Sequence, residues 1–355
     1  MRSNQQKNII YSLVLLLMVL AVYLWRNRGQ EELESVQETV YEGRISISGQ
    51  TMGTSYQISY LDAKGRDLKS SVDSLLLVFN QSLSTYIQDS EISRFNQQDS
   101  LVFDLPYFPQ VLKASKDIFQ KTDGAFDPTV GPLVNVWGFG PDGPSLKDSV
   151  EIRDLLNLVG FDKVVFDEQL VRKNVSGLYL DFSAIAKGQG VDVVADFLEE
   201  KGISDFLVEI GGELVAKGVN DRGEIWKVGI NRPEESATAS DLYSIIALDN
   251  QAMATSGNYR NFYVQDSVKI SHTIDPKTGY PVRHNLLSAT VVGPDCMTAD
   301  AYATAMMVMG LEKAIALDEE TEEIKVFLIY SDSNGEYQFH VSEGLKPYLS
   351  FPTNR

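Results

Sequence analysis

Alternation between apolar and polar residues marks two strands near residue 50. Arg44 to Ser48 and Ser55 to Tyr60 alternate with a period of two, which is the pattern of paired, half-buried strands. Leu68 to Ser84 changes to helical spacing, with apolar residues three and four positions apart. This region therefore predicts two paired strands followed by a helix.

Helices and strands continue to mix along the rest of the chain. A helix is predicted over Pro109 to Thr122, and Gly177 to Phe182 is predicted to be a strand that turns at Ser183 into another helix, ended by Gly202. No repeat of solenoid period and no Pro/Gly-rich break marks a second domain. The remaining predicted strands are Phe206 to Ile210 and a hairpin of Lys325 to Tyr330 with Tyr337 to Val341.

The N-terminal segment contains a long uncharged, mostly apolar run. Ile9 to Trp25 carries no charge, and these seventeen residues span about 25 Å as a helix, near the lower limit for crossing a bilayer. The bulky residues before Arg26 do not suit a cleavage site, which favours an anchor over a cleaved signal peptide. Basic residues flank both ends, so charge does not settle the orientation. We predict a single-pass transmembrane anchor over 1–28, a polar linker over 29–42 and a folded domain over 43–350.

Composition and charge exclude several classes of function. The 355 residues include 31 Lys and Arg against 49 Asp and Glu, a net charge of −18. An acidic surface repels phosphate backbones, so we expect no nucleic-acid partner. One cysteine, Cys296, allows no internal disulfide, and three scattered histidines leave no zinc spacing. A bound metal is therefore expected to be a hard cation with oxygen ligands.

A turn of small residues precedes the helix predicted after Ser183, and Lys187 lies within it. A helix N-terminus offers backbone N–H groups and a positive dipole end to an anion, and the lysine adds a cation. The glycine spacing matches neither the dinucleotide fingerprint nor the P-loop. The stretch is therefore either a phosphate site or an ordinary turn with a surface lysine.

Another predicted helix start carries oxygen ligands. Thr298 is its expected N-cap, and Asp300 and Thr304 follow four residues apart, on one face of the helix. A carboxylate and a hydroxyl are ligands that Mg²⁺ accepts, together with a backbone carbonyl, phosphate oxygens and water. The same pattern also fits a solvated helix start.

Two loops add further candidates. His272 precedes an Asp-Pro-Lys-Thr-Gly turn, where it is either a general base or a hydrogen-bonded structural residue. Thr122 to Pro132 is a rigid loop that either presents Phe126 and backbone groups to a planar ligand or is a plain turn.

Nine short motifs follow one another between residues 43 and 345, in chain order Met52–Thr54, Leu83–Tyr86, Ser90–Asn96, Gly124–Pro128, Asp181–Gly188, Gly211–Gly212, Thr255–Tyr259, His272–Pro281 and Ala299–Thr304. Their order and wording resemble one known family, the ApbE-type FAD:protein FMN transferases. This resemblance implies a mixed α+β fold, with one catalytic domain of two lobes and the flavin in a cleft between them.

The resemblance also implies an activity. It is the Mg²⁺-dependent transfer of the FMN half of FAD to a threonine or serine hydroxyl of a partner protein, with release of AMP. The positions implied to hold Mg²⁺ are Ala184, through its backbone carbonyl, and the side chains of Asp300 and Thr304. The positions implied to contact FAD are Met52, Tyr86, Ala125, Phe126, Asp127, Asp181, Lys187 and Ile274.

Two residues compete for the role of general base in this reaction, His272 and Asp300. Two alternative functions are a Mg²⁺-dependent FAD pyrophosphatase, which gives FMN and AMP, and a tethered flavin-binding protein without turnover. The family implies flavin-accepting subunits of membrane electron-transfer complexes as partners. It also implies a catalytic domain on the exported, periplasmic side of the cytoplasmic membrane.

Overall fold

An eight-stranded sheet forms the centre of the computed structural model, which describes residues 43–139, 149–234, 238, 241–258, 262–265 and 268–352. The strands in these ranges are β1 (Arg44–Thr51), β2 (Thr54–Leu61), β3 (Ser100–Val102), β4 (Val164–Phe166), β5 (Leu170–Lys173), β6 (Phe206–Ile210), β7 (Glu213–Lys217), β8 (Trp226–Asn231), β9 (Leu242–Leu248), β10 (Gln251–Gly257), β11 (Phe262–Gln265), β12 (Val268–Ser271), β13 (Leu286–Gly293), β14 (Lys325–Ser331), β15 (Tyr337–Val341) and β16 (Leu349–Ser350).

Helices cover one face of this sheet. In the described ranges they are α1 (Lys69–Leu83), α2 (Glu91–Gln97), α3 (Tyr107–Lys121), α4 (Gly131–Val136), α5 (Ser149–Leu156), α6 (Ala186–Glu200), α7 (Cys296–Met309) and α8 (Leu311–Glu320). Helix α6 packs on β6 and β7, and α7 packs on β10, β13 and α6. The first turns of α6 and α7 therefore lie close together.

The large sheet has the strand order β1-β2-β6-β7-β10-β13-β14-β15, and neighbours from β2 to β15 are antiparallel. Successive side chains alternate between its two faces. In β10, Ala252 and Ala254 join the clusters under the helices, whereas Met253 faces the other side. There it packs with residues of the small sheet β16-β9-β8. The core therefore has two layers, one on each face of the large sheet.

Most of the predicted elements are confirmed. The paired strands near residue 50, the helices at 69–83 and 107–121, and the C-terminal hairpin are all present within three residues of their predicted bounds. The helix after Ser183 begins at Ala186, and Gly202 follows its end with a φ of +76°. The mixed α+β class is confirmed.

The predicted strand at Gly177 to Phe182 is wrong. The segment is irregular, and its hydrogen bonds go elsewhere: the Asn96 side chain accepts from the Leu180 N–H at 2.8 Å and donates to the Leu180 carbonyl at 2.9 Å. The Asp181 N–H donates to the Pro128 carbonyl at 2.8 Å. The Asn96 side chain and the loop at Pro128 therefore make the hydrogen bonds that a neighbouring strand would make.

The predicted N-cap is also wrong. Helix α7 begins at Cys296, two residues before Thr298, and its N-cap is Asp295, whose carboxylate accepts from the Thr298 N–H at 2.7 Å. Asp and Thr are both good N-caps, and the earlier of the two fills the role here. Asp300 and Thr304 still lie one turn apart on the helix.

The described residues from Ile45 onward belong to one compact unit. The predicted anchor over 1–28 and the linker over 29–42 lie outside the described residues. Within the part of the chain that the structure describes, no helix is both long and apolar enough to cross a membrane.

Candidate active site

A cavity of about 850 Å³ collects residues from many separate elements. Strand β7 pairs with β10 only over Gln251–Met253, so the rest of β10 continues beyond the start of β7. The cavity lies beside this part of β10. Every site residue predicted from the sequence except Met52 lines it, namely Tyr86, Ala125, Phe126, Asp127, Asp181, Ala184, Lys187, His272, Ile274, Asp300 and Thr304. Met52 lies in the β1–β2 turn and packs against the core near Gly190.

Asp300 is a buried carboxylate in the first turns of α7, only 2% exposed. Its Oδ2 accepts the backbone N–H of Gly188, in the first turn of α6, at 3.1 Å. One turn further along α7, the Thr304 hydroxyl lies 3.2 Å from the Ser256 hydroxyl of β10. The carboxylate and the hydroxyl that were predicted to lie on one face of the helix therefore both line the cavity.

Lys187 joins two carboxylates in this wall. Its Nζ lies 2.7 Å from Oε1 of Glu213 and 3.8 Å from Oδ1 of Asp300. Burial alone lowers the pKa of Lys187, but the charges of Asp300 and Glu213 outweigh this and the pKa lies above its ordinary value. Burial raises the pKa of both acids, and the lysine counteracts part of that rise. Glu213 and Asp300 share the single ammonium of Lys187, so the negative charges of these three side chains exceed the positive charge by one.

The sequence patterns did not identify Glu213 as a site residue, although it lines the cavity and is only 4% exposed. It is the first residue of β7, directly after the Gly211-Gly212 turn. Its second oxygen, Oε2, is buried and has no hydrogen-bond partner among the described residues. The only signal in the sequence was an acidic residue immediately after a glycine turn.

Two backbone N–H groups at the start of α6 donate to groups of the protein itself and not to an external anion. The Ala186 N–H donates to the Phe182 carbonyl, and the Gly188 N–H is taken by Asp300. In a helix that continued one turn back, the Gly188 N–H would bond the Ala184 carbonyl. Within the described ranges no residue donates to that carbonyl, so it is available as an oxygen ligand.

These oxygens fit a divalent cation. The Ala184 carbonyl, the Asp300 carboxylate and the Thr304 hydroxyl are hard donors on one cavity wall. Glu213 and Asp300 together carry one more negative charge than Lys187 offsets, and Oε2 of Glu213 has no partner among the described residues. This excess of negative charge favours a bound cation. No group of three or more His, Cys, Asp or Glu side chains suited to a metal occurs in the described ranges.

The loop at 125–128 forms another part of the wall. Phe126 is buried, and Asp127 caps the short 3₁₀ helix Pro128–Val130, accepting from the N–H and the hydroxyl of Thr129 at 2.8 and 2.6 Å. Burial raises the pKa of Asp127 to about 6, although the hydrogen bonds from Thr129 oppose the rise.

His272 and Tyr86 complete the lining. The His272 ring follows β12, and its centroid lies 6.2 Å from that of Phe139 in an edge-to-face arrangement. Tyr86 follows α1 and is 78% exposed. An aromatic side chain held out at a cavity edge can cover a flat ring system.

A cavity that combines a lysine, paired carboxylates, hard oxygen donors and aromatic rings defines an enzyme-type site for an anionic, ring-containing ligand. The sequence profile of the ApbE family matches residues 52–328. This chain belongs to the ApbE family.

The relatives give the same result. The chain is 41% identical over 318 residues to the FAD:protein FMN transferase of Vibrio cholerae, covering 86% of this chain and 93% of that one. It is 39% identical to the protein of the same name from Haemophilus influenzae, covering 82% and 88%. The solved flavin transferase ApbE from Vibrio cholerae superposes with a TM-score of 0.78 at 40% identity, covering 86% of this chain and 99% of that chain. The Thermotoga maritima ApbE protein gives 0.74 at 27% identity, covering 86% and 99%.

Proposed function

We propose that this protein is an FAD:protein FMN transferase that moves FMN from FAD to a threonine or serine hydroxyl and releases AMP. The observation that carries the proposal is the convergence of Lys187, Asp300 and Thr304 with His272 and Phe126 on one cavity. Relatives that are 35 to 41% identical carry the name FAD:protein FMN transferase, which supports it.

Mg²⁺ is the metal that these ligands suit best. The Ala184 carbonyl, Asp300 and Thr304 would hold it, since all three supply the hard oxygen donors that Mg²⁺ prefers. When bound, the ion supplies positive charge to the pyrophosphate and to the leaving phosphate. An acidic protein needs such local neutralisation to accept a dianionic pyrophosphate.

The residues of the chain then have distinct tasks. The Lys187 ammonium binds phosphate oxygens, and the walls around Phe126 and Tyr86 hold the flavin ring. The acceptor oxygen forms a bond to the FMN phosphorus as the bond from that phosphorus to the AMP oxygen breaks. The hydroxyl proton goes to His272 or to Asp300. AMP leaves with the electron pair of the broken bond.

The N-terminal apolar run supports a membrane-anchored enzyme. A single-pass anchor with its domain on the exported side would place the cavity next to membrane electron-transfer complexes, whose flavin-carrying subunits are the proposed acceptors. The proposal depends on the sequence of residues 9–25 and on the family.

The test is an assay of AMP release from FAD with Mg²⁺, with and without an acceptor peptide that contains threonine. AMP formation that requires the peptide, together with a mass increase of the peptide by one FMN, supports the transferase. AMP formation at the same rate without peptide indicates a pyrophosphatase. Flavin binding without AMP in either reaction identifies a binding protein and contradicts both enzymes.

A further inference from the structure

Regular secondary structure fixes the position of Glu213 relative to Lys187. It begins β7, so its backbone is fixed by pairing with β6, where Ile210 lies opposite. Lys187 is in the first turn of α6, which packs on the same two strands. The contact of 2.7 Å between their charged atoms is therefore held from both sides by regular structure.

The lysine is shared unequally between its two acids. Its Nζ is 2.7 Å from Oε1 of Glu213 but 3.8 Å from Oδ1 of Asp300. The other oxygen of Asp300 already accepts the Gly188 N–H. A lysine that moved fully onto Asp300 would offset the negative charge that a cation needs, because the attraction between opposite charges grows as their distance shrinks.

We propose that Glu213 is a positioning residue, which holds the Lys187 ammonium off Asp300 and so keeps Asp300 open to a divalent cation. The inference rests on the proposed function, since it assigns Asp300 to a metal. Glu213 would also aim the ammonium into the cavity, towards the phosphate oxygens of the substrate.

Loss of the Glu213 charge should release the lysine. In Glu213→Gln the side chain keeps its shape, but the carboxylate that holds Lys187 is gone, and Asp300 is the remaining acid near Nζ. The ammonium and the cation would then compete for one carboxylate. The effect of Glu213 should therefore depend on the presence of Lys187, which a simple through-space charge effect does not predict.

The experiment is a double-mutant cycle on the full chain. The affinity for FAD is measured by flavin fluorescence in the first seconds after mixing, before turnover, at increasing Mg²⁺. The quantity compared is the Mg²⁺ concentration that gives half of the maximal gain in FAD affinity. It is determined for the wild type, Glu213→Gln, Lys187→Met and the double variant. Glu209→Gln is the matched control, because Glu209 precedes the same turn and accepts the Gly212 N–H without lining the cavity.

We expect Glu213→Gln to raise the half-effective Mg²⁺ concentration roughly tenfold with Lys187 present and less than about threefold in the Lys187→Met background, within the range of couplings between contacting residues. Glu209→Gln should leave the value unchanged. An equal factor in both backgrounds, or no effect in either, overturns the proposal. So does a wild type whose FAD binding does not respond to Mg²⁺.

Glu213→Asp is a second variant that tests the same role if Glu213→Gln does not fold. Its charge remains, but the carboxylate is one methylene shorter and no longer reaches Lys187 in the same geometry. A positioning role predicts a several-fold rise in the half-effective Mg²⁺ concentration, whereas a pure charge effect predicts the wild-type value and contradicts the proposal. Failure of the proposed function is seen separately, as a wild type that transfers no FMN with Mg²⁺ and acceptor.

Discussion

Gly188 faces the carbonyl oxygen of Cys296 so closely that a methyl group on its Cα would lie 2.2 Å from that oxygen. The contact joins the first turns of α6 and α7 through their backbones. The same glycine donates its N–H to Asp300. The absence of a side chain at one position therefore lets Lys187 and Asp300, on different helices, face the same cavity.

Replacement of this glycine tests how the site is assembled. Gly188→Ala gains up to about 1 kcal/mol of helix propensity but forces two backbones apart, for which overpacking costs of about 1–3 kcal/mol or more are usual. We expect a net loss of stability and weaker FAD binding, measured by denaturant unfolding and flavin fluorescence. Gly190→Ala is the control, since its methyl would meet the flexible end of Met52, at 2.5 Å from Cε, and the Phe79 ring at 3.4 Å, but no backbone atom among its three nearest neighbours. Equal stability losses in the two variants would contradict this account.

Asp300 should matter for turnover more than for flavin binding. Asp300→Ala removes the one carboxylate of the proposed Mg²⁺ ligands, while the flavin ring is held by other segments. We expect AMP release to be abolished and some FAD binding to remain, measured in parallel by nucleotide chromatography and fluorescence. Glu200→Gln, an exposed acid at the end of α6, should behave as wild type. Wild-type rates in Asp300→Ala at limiting Mg²⁺ would refute the metal role.

His272 has two possible roles, which make different predictions. As a general base, its loss in His272→Ala should slow transfer by roughly 10² to 10⁴ and remove a near-neutral limb from the pH profile. The measurement is single-turnover FMN transfer from pH 5.5 to 9 at saturating FAD and Mg²⁺. His340→Gln, which alters a histidine paired with Asp318 away from the cavity, should keep both rate and limb. A limb that persists in His272→Ala assigns the base to Asp300 instead.

Local pattern and family motifs predicted most of this site, and the failures have a common cause. The strand predicted at 177–182 has suitable residues, but Asn96, 84 positions from Leu180, supplies its hydrogen bonds. Glu213 shows only a weak local signal, its place directly after a glycine turn, because its role comes from Lys187 on a different element. Contacts between segments far apart in sequence are invisible to periodicity. Asp300 and Thr304, by contrast, share one helix, so their spacing was enough to pair them.

The N-terminal residues should be dispensable for catalysis. Among the residues that the structure describes, those that line the cavity all lie beyond residue 84, and residues 29–42 of the sequence are mostly polar and acidic. We therefore expect a chain without residues 1–30 to be recovered in the soluble fraction and to release AMP at the rate of the full chain in detergent. Recovery of the shortened chain only with membranes would contradict the anchor assignment.

Asp127 should make the stability depend on pH in an unusual direction. Burial raises its pKa from 3.8 to about 6 in the folded protein, so folding favours the protonated carboxyl. The stabilising contribution of such a group is complete below pH 3.8 and is lost as the pH rises through 6, a change of roughly 3 kcal/mol at most.

The Asp127→Asn variant isolates this effect, because asparagine does not titrate and its carbonyl can still accept from the Thr129 N–H and hydroxyl. Other titrating groups contribute equally to both proteins and cancel in the difference. The free energy of unfolding of Asp127→Asn, minus that of the wild type, should therefore increase from pH 4 to pH 8, whatever its value at pH 4. Denaturant unfolding at five pH values in this range measures it. A difference that falls with pH would mean that the hydrogen bonds from Thr129 outweigh burial and that Asp127 is ionised in the folded state well below pH 6.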